Sequence, residues 1–310
     1  MSEGSPVWSS SGEWDLARVR GLKGPHRIAV VIPARNEEAT IASVVAEIMD
    51  NLGDLVDDVI VMDSLSSDAT AEIARGAGAR VHSVADVRPD LGVHAGKGEA
   101  LWKSLFVTDA DLLVFIDADL TDWGSHFVTG LVGPLLADPG IMLVRGFYDR
   151  VLNAGSSPSL EGGRVTELLA RPWLALHRPE LGGVIQPLAG EWSIRRSAFE
   201  QLPVPMGYGV ELSTLLDIDE RFGLAAIAQV DLGRRAHRHQ SLHDLSAMSL
   251  ELLVTAERRR PRPDASAAAD VIEPAGGDDI VALRLPTLDR AWTVREVMTA
   301  ERPPYASVVG

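Results

Sequence analysis

Three hundred and ten residues, 46% hydrophobic and 24% charged, describe a globular chain with apolar matter for a sizeable core, and exclude disordered and fibrous classes. Against 44 Asp and Glu there are only 29 Lys and Arg, and the net charge of -15 argues against a broad polyanion-binding surface, so no nucleic-acid partner is expected. The lack of Cys removes disulfides, thiolate nucleophiles and cysteine-ligated zinc, so any metal must sit on Asp, Glu, His or water.

No apolar run approaches the roughly 18 residues of a membrane span. The start MSEGSPVWSSSGEWD lacks the basic and apolar regions of a leader, so a cytoplasmic location is expected. Residues 1–26 show no period and read as a surface arm. From there strand and helix patterns alternate. IAVVIP (28–33) is a β-branched run, followed by helical spacing over 37–52, a strand at 57–63, a helix at 67–75 and a strand at 79–84. A helix at 97–108 leads into DLLVFIDADL (111–120), a strand apolar on both faces. A helix at 125–137, a strand at 141–148, a Gly/Ser/Pro loop at 153–163 and a helix from about residue 164 come next. Helices at 210–222 and 242–259 flank a strand at 225–233, and the Pro- and charge-rich tail from residue 260 reads as a poorly packed extension. This order predicts one α/β domain whose parallel sheet is covered on both sides, with ligands at the carboxyl ends of its strands.

The familiar nucleotide signatures are missing. Where a dinucleotide fold needs G-x-G-x-x-G, the first strand is followed by Pro33-Ala34-Arg35-Asn36-Glu37-Glu38, which disfavours hydride transfer. Gly96-Lys97-Gly98 resembles half of a P-loop, but no Ser or Thr follows the Lys, and Gly76-Ala77-Gly78 reads as a helix stop.

Asp117-Ala118-Asp119 carries the strongest signal, because it follows a strand that should be buried and so lies at the rim of the core rather than on a random loop. At a strand end the chain bends, and two carboxylates can then serve one divalent cation whose open positions a diphosphate fills. Lys97 is one of only three lysines, with Lys23 and Lys103. It opens a helix, where unpaired N–H groups favour anions and its own charge is unfavourable unless an anion is near, so a phosphate contact is expected. The segment from Gly162 through Gly163, Arg164 and Thr166 to Glu167 offers amides, a guanidinium and a hydroxyl to one anion, or else is a loop whose Arg pairs with a neighbouring acid. Arg235-Ala236-His237-Arg238-His239 could combine a metal ligand with a diphosphate clamp. Glu211, taken alone, reads as an acid favoured at a helix start.

Taken in order, PARNEEATI, VMDSLSSDAT, GKGEALWKSL, VFIDADL, GGRVTELLARP, GYGVEL and QVDLGRRAHRH resemble the actinobacterial glucosyl-3-phosphoglycerate synthases, retaining glycosyltransferases of the GT-A type in family 81. The resemblance implies a GT-A type nucleotide-binding fold, an α/β architecture with a central, mostly parallel mixed sheet flanked by helices. It divides the chain into an arm at 1–26, a nucleotide-sugar-binding half at 27–122, an acceptor-binding half of the same domain at 123–259 and an extension at 260–310. It implies transfer of glucose from UDP-glucose to the 2-hydroxyl of 3-phosphoglycerate, with Mg²⁺ or Mn²⁺, in a homodimer. Pro33, Ala34, Glu37 and Ser64 would then cradle the uridine, Lys97 and Asp117 would meet the nucleotide, and Asp119 with His237 would bind the metal. Gly163, Arg164 and Thr166 would grip the acceptor phosphate, and Glu211 would face the donor sugar, which reverses its bland reading.

Arg35 stands where an apolar residue is expected, and Gln240 where a basic residue usually reaches the diphosphate, so Arg235, Arg238 or His239 would have to substitute. The loop at 153–163 also differs in composition. These departures bear on the base, sugar and acceptor more than on the reaction class. The nearest rival is mannosyl-3-phosphoglycerate synthase with GDP-mannose. A sugar-nucleotide pyrophosphorylase would carry a Gly-rich basic loop after its first strand, and a nucleotide-sensing module would bind UDP without releasing it from a donor.

Overall fold

Short β-branched runs ending in polar turns assemble one eight-stranded sheet in a computed structural model that describes residues 6–151, 163–236, 241–261, 280–286 and 292–309. Its strands are β1 (Val7–Ser10), β2 (Ile28–Ala34), β3 (Asp58–Asp63), β4 (Arg80–Ser83), β5 (Leu112–Phe115), β6 (Leu143–Val151), β7 (Trp192–Arg195) and β9 (Ile227–Ala236), with β8 (Val204–Pro205) lying outside it. The spatial order is β1-β9-β6-β7-β5-β2-β3-β4. All neighbours run parallel except β7, which is antiparallel to both β5 and β6. The mostly parallel mixed sheet implied by the family resemblance is therefore present, where the alternating pattern alone predicted a parallel one, and β2, β3, β5, β6 and β9 present their carboxyl ends along one edge.

The α-helices among the described residues are α1 (Leu16–Lys23), α2 (Ile41–Leu52), α3 (Thr70–Gly76), α4 (Lys97–Ser104), α5 (His126–Ala137), α6 (Arg171–His177), α7 (Arg196–Phe199), α8 (Val210–Phe222), α9 (Leu242–Arg258) and α10 (Ala306–Val309). Alternation along the buried strands divides the core in two. Ile28, Val30 and Ile32 of β2 and Leu112 and Val114 of β5 join Ile41 and Val44 of α2 and Phe127 and Leu131 of α5. Ala29, Val31, Leu113 and Phe115 point the other way, to Ala100 and Leu101 of α4 and Leu212 and Leu215 of α8. Full burial of each large aliphatic side chain contributes about 1.5–3 kcal/mol, which makes the sheet a rigid frame for the loops at its carboxyl edge.

Several sequence expectations differ from the structure. The stretch read as a surface arm supplies β1, which extends the sheet beside β9, and it buries Trp14, whose ring fills the space that a Cβ on Gly133 would need. The strand expected over 111–120 stops at Phe115, so Asp117 and Asp119 have already left the sheet. β7 had no counterpart in the sequence pattern. The tail read as poorly packed forms a hairpin of β10 (Ile280–Pro286) and β11 (Trp292–Met298), and then β12 (Glu301–Arg302), which pairs with β8. Arg302 grips the fully buried Glu99 of α4 with two hydrogen bonds, Nε at 2.6 Å and Nη2 at 2.7 Å, and the Trp102 indole donates to the Pro303 carbonyl at 2.9 Å.

Candidate active site

The first wall is built by the turns after β2 and β3. Pro33 and Ala34 are the last two residues of β2, and Ala34 sits opposite Asp63 in the parallel register. Asn36 adopts φ 58°, a left-handed conformation that Asn tolerates better than most residues. The two turns are laced together. Asn36 donates its N–H to Ser66 Oγ (3.0 Å), Ser67 N–H to Asn36 Oδ1 (2.8 Å), Glu37 N–H to Thr70 Oγ1 (2.8 Å) and Ala69 N–H to Glu38 Oε2 (3.1 Å). These bonds hold residues 35–40 out of the helix, which starts at Ile41 rather than at residue 37. Ser64 joins a third loop to the wall, its N–H donating to Ala34 O (2.8 Å) and its Oγ accepting from Gly96 N–H (3.0 Å). Pro33, Ala34, Glu37 and Ser64 are thus brought together.

Around Lys97 the main-chain amides and the side chain meet different partners. The amides of Gly98 and Glu99, expected to face an anion, are taken by the carbonyls of Gly207 (3.1 Å) and Met206 (2.9 Å). A Cβ on Gly98 would overlap the Pro205 carbonyl, so this glycine allows one stretch of chain to approach another rather than a ligand. What α4 offers the cleft is the Lys97 ammonium, 2.6 Å from Asp117 Oδ1 and 2.7 Å from Glu211 Oε1. Burial opposes that charge, yet the two carboxylates and their hydrogen bonds hold the Lys97 pKa well above the ordinary lysine value. The anion that a lysine at a helix start requires is supplied by the protein.

Asp117 has its place because Gly190 has no side chain. A Cβ at Gly190 would overlap the Asp117 carboxylate, so the backbone just before β7 passes close against that side chain. Gly190 is not among the positive-φ glycines. Gly190→Ala is therefore a clean steric test: it should leave the melting temperature within a few degrees but displace Asp117 and lower kcat/KM at least about tenfold, as steady-state kinetics beside a thermal melt would show.

Asp119 lies two residues farther on and is partly buried. Among the described residues no three His, Asp or Glu side chains converge as ligands of one cation. The oxygen donors at the end of β5 fit a hard cation that takes one or two carboxylates and completes its shell with phosphate and water. His237, the other expected ligand, lies outside the described residues, as do Arg238, His239, Gln240, Gly162 and residues 153–161. Arg235 is placed by its backbone alone, on β9 opposite Arg150. Gly163, Arg164 and Thr166 stand where a helical segment begins, Gly163 O accepting from Glu167 N–H at 3.1 Å, with Arg164 exposed and Thr166 buried. Residues 166–170 form a π-helical turn before α6, beside Pro172, which has no N–H to give to an ordinary helical ladder. Arg35 is exposed beside Ala34 at the edge of the wall.

Sequence reasoning missed Gly190 and Arg145. Gly190 is followed by Glu191 and then by the mixed Trp-Ser-Ile-Arg of β7, so nothing next to it in the chain marks the close approach. Arg145, buried beneath Glu211, had no local signal.

The glycosyl transferase family 2 model matches residues 29–202, more than half of the chain. A glucosyl-3-phosphoglycerate synthase of Mycobacterium tuberculosis is 46% identical over 302 residues, covering 96% of this chain and 90% of that protein. The chain belongs to the glucosyl-3-phosphoglycerate synthase family. A synthase from the more distant Petrotoga mobilis is 39% identical over 91% of this chain and 87% of its own length. The crystal structure of the M. tuberculosis synthase with Mn²⁺, UDP-glucose and phosphoglyceric acid matches at TM-score 0.84 and 42% identity, covering 99% of this chain and all of that one. Another was solved with Mg²⁺ and UDP. The GT-A fold expected from the motifs is thus the fold of the family. No helix among the described residues is long and apolar enough to cross a membrane.

Proposed function

We propose that this chain transfers the glucosyl group of UDP-glucose to the 2-hydroxyl of 3-phosphoglycerate, with retention at the anomeric carbon, giving glucosyl-3-phosphoglycerate. The observation that carries the reading is the placement of Lys97, Asp117 and Glu211 in contact at the carboxyl edge of the sheet, within a chain 46% identical to a synthase of that name. Residues 27–122 would hold the donor and 123–259 the acceptor, with the 1–26 and 260–310 segments completing the domain.

Pro33, Ala34, Glu37 and Ser64 form the wall that receives uridine. Asp119 and His237 would hold Mg²⁺ or Mn²⁺, which when bound offsets the charge of the departing UDP. Lys97 adds a second positive charge on the nucleotide side, held by Asp117, and Arg235 would meet the diphosphate. Glu211 faces the sugar from the start of α8. The acceptor hydroxyl attacks from the face that the diphosphate leaves, its proton passing to a donor phosphate oxygen, so no side chain is required as a nucleophile. A cytoplasmic homodimer accords with the family resemblance, and sedimentation of the purified protein tests the dimer.

The reading is tested by release of UDP or GDP from a panel of sugar nucleotides, with and without 3-phosphoglycerate and with and without Mg²⁺ or Mn²⁺. UDP release from UDP-glucose that depends on acceptor and metal is expected. GDP release from GDP-mannose would replace the donor assignment, and tight UDP binding with no release on any acceptor would replace transfer with sensing. Arg164→Ala should raise the acceptor KM about tenfold or more with the donor KM within about twofold, since a guanidinium–phosphate contact is charge-assisted. A selective loss of donor binding would contradict the role given to Arg164.

A further inference from the structure

Behind Glu211 the fold buries a charge that is only partly partnered among the described residues. Arg145, on β6, is 1% exposed and lies opposite Trp192 of β7 in the register, with its guanidinium 4.8 Å from the centre of the Trp192 ring. Its Nη2 donates to the main-chain carbonyl of Glu211, while Nε and Nη1 meet no acceptor among the described residues. Burial pulls the Arg145 pKa down to about 10, with the Glu211 carboxylate opposing the fall. A sealed guanidinium with two unused donor atoms is costly, and an apolar side chain of similar length would suit the neighbouring Leu143, Phe115 and Trp192 better. Costly groups of this kind survive where function requires them.

The neighbouring charges suggest the requirement. Glu211 is buried, and its ion-pair partner Lys97 is shared with Asp117. In the proposed reaction the donor's diphosphate competes for the same ammonium. We infer that Arg145 is a positioning residue of this transfer: it anchors the main chain of Glu211 and keeps a standing positive charge behind it, so that Lys97 can turn to the diphosphate without leaving Glu211 unbalanced. The inference rests on the proposed transfer reaction.

Wild type, Arg145→Met, Arg145→Lys, Glu211→Gln and the Arg145→Met/Glu211→Gln double variant are compared for UDP release and thermal melting. Arg145→Met should melt at or above the wild-type temperature while kcat falls at least about tenfold and the acceptor KM stays within about twofold. Arg145→Lys should recover part of kcat. In the Glu211→Gln background the further loss from Arg145→Met should shrink to less than about twofold, because the two act as one unit. A merely structural arginine gives the opposite pattern, a lowered melting temperature and the same fractional loss in both backgrounds, and that result overturns the inference. So does an Arg145→Met enzyme with wild-type kcat. Wild-type protein that releases no UDP overturns the transfer reading itself, whereas active wild type with an unaffected Arg145→Met variant overturns only the role of Arg145.

Discussion

Asp119→Ala is expected to lower kcat/KM about a thousandfold, about 4 kcal/mol at the usual tenfold per ~1.4 kcal/mol, and to erase the response to added Mg²⁺ or Mn²⁺. The size follows from where the residue sits. β5 ends at Phe115, and Asp119 lies beyond it at the rim, only partly buried, so its loss removes the proposed oxygen ligand without opening the core. The melting curve should therefore be nearly unchanged while the metal titration of UDP release goes flat. Asp117→Asn is the contrasting control. It disturbs the Lys97 contact at 2.6 Å, so it should affect donor binding and stability together. An Asp119→Ala enzyme with normal metal-dependent turnover would remove the proposed metal site.

Much of this arrangement was legible because it is local. The apolar runs of β2, β3 and β5 announce a buried sheet, and residues at or just after the ends of such runs fall at its carboxyl edge, which is where Pro33, Ser64 and Asp117 stand. Lys97 was legible through an electrostatic complaint: a lysine opening a helix needs an anion. The structure answered it with Asp117 and Glu211, which local sequence could not name because the contacts span the fold. The same holds for Gly98, whose purpose depends on Pro205, and for Glu99, whose partner Arg302 is 203 positions away. β7 escaped because no continuous apolar or β-branched run marks its Trp-Ser-Ile-Arg, although it aligns Gly190 with Asp117 and Trp192 with Arg145. Bent strand ends, close backbone crossings and buried ion pairs between distant segments set the geometry of this cleft, and none of them leaves a mark on neighbouring residues alone.

Lys97→Met should have the other large effect, on stability as well as rate. Removing the ammonium leaves the Glu211 and Asp117 carboxylates facing the space it occupied. The Lys97 side chain is 15% exposed, that of Asp117 24% and that of Glu211 7%, so water screens the Asp117 contact more than the Glu211 contact. Breaking a buried pair by deleting one partner costs about 3–5 kcal/mol, and the partial exposure of Asp117 places the value here at the lower end, about 3 kcal/mol. In a chain of this length that corresponds to a fall in melting temperature of about 5 °C. The donor should suffer most, with kcat/KM for UDP-glucose about a thousandfold down and UDP binding by calorimetry weakened, while the acceptor KM moves little because Arg164 stands on a different element. Lys97→Arg should recover the melting temperature better than the rate, since a planar guanidinium keeps the charge but cannot occupy the compact point that bridges Asp117 and Glu211. Equal UDP binding and an unchanged melt in Lys97→Met would mean that the ammonium neither holds the two carboxylates together nor reaches the nucleotide.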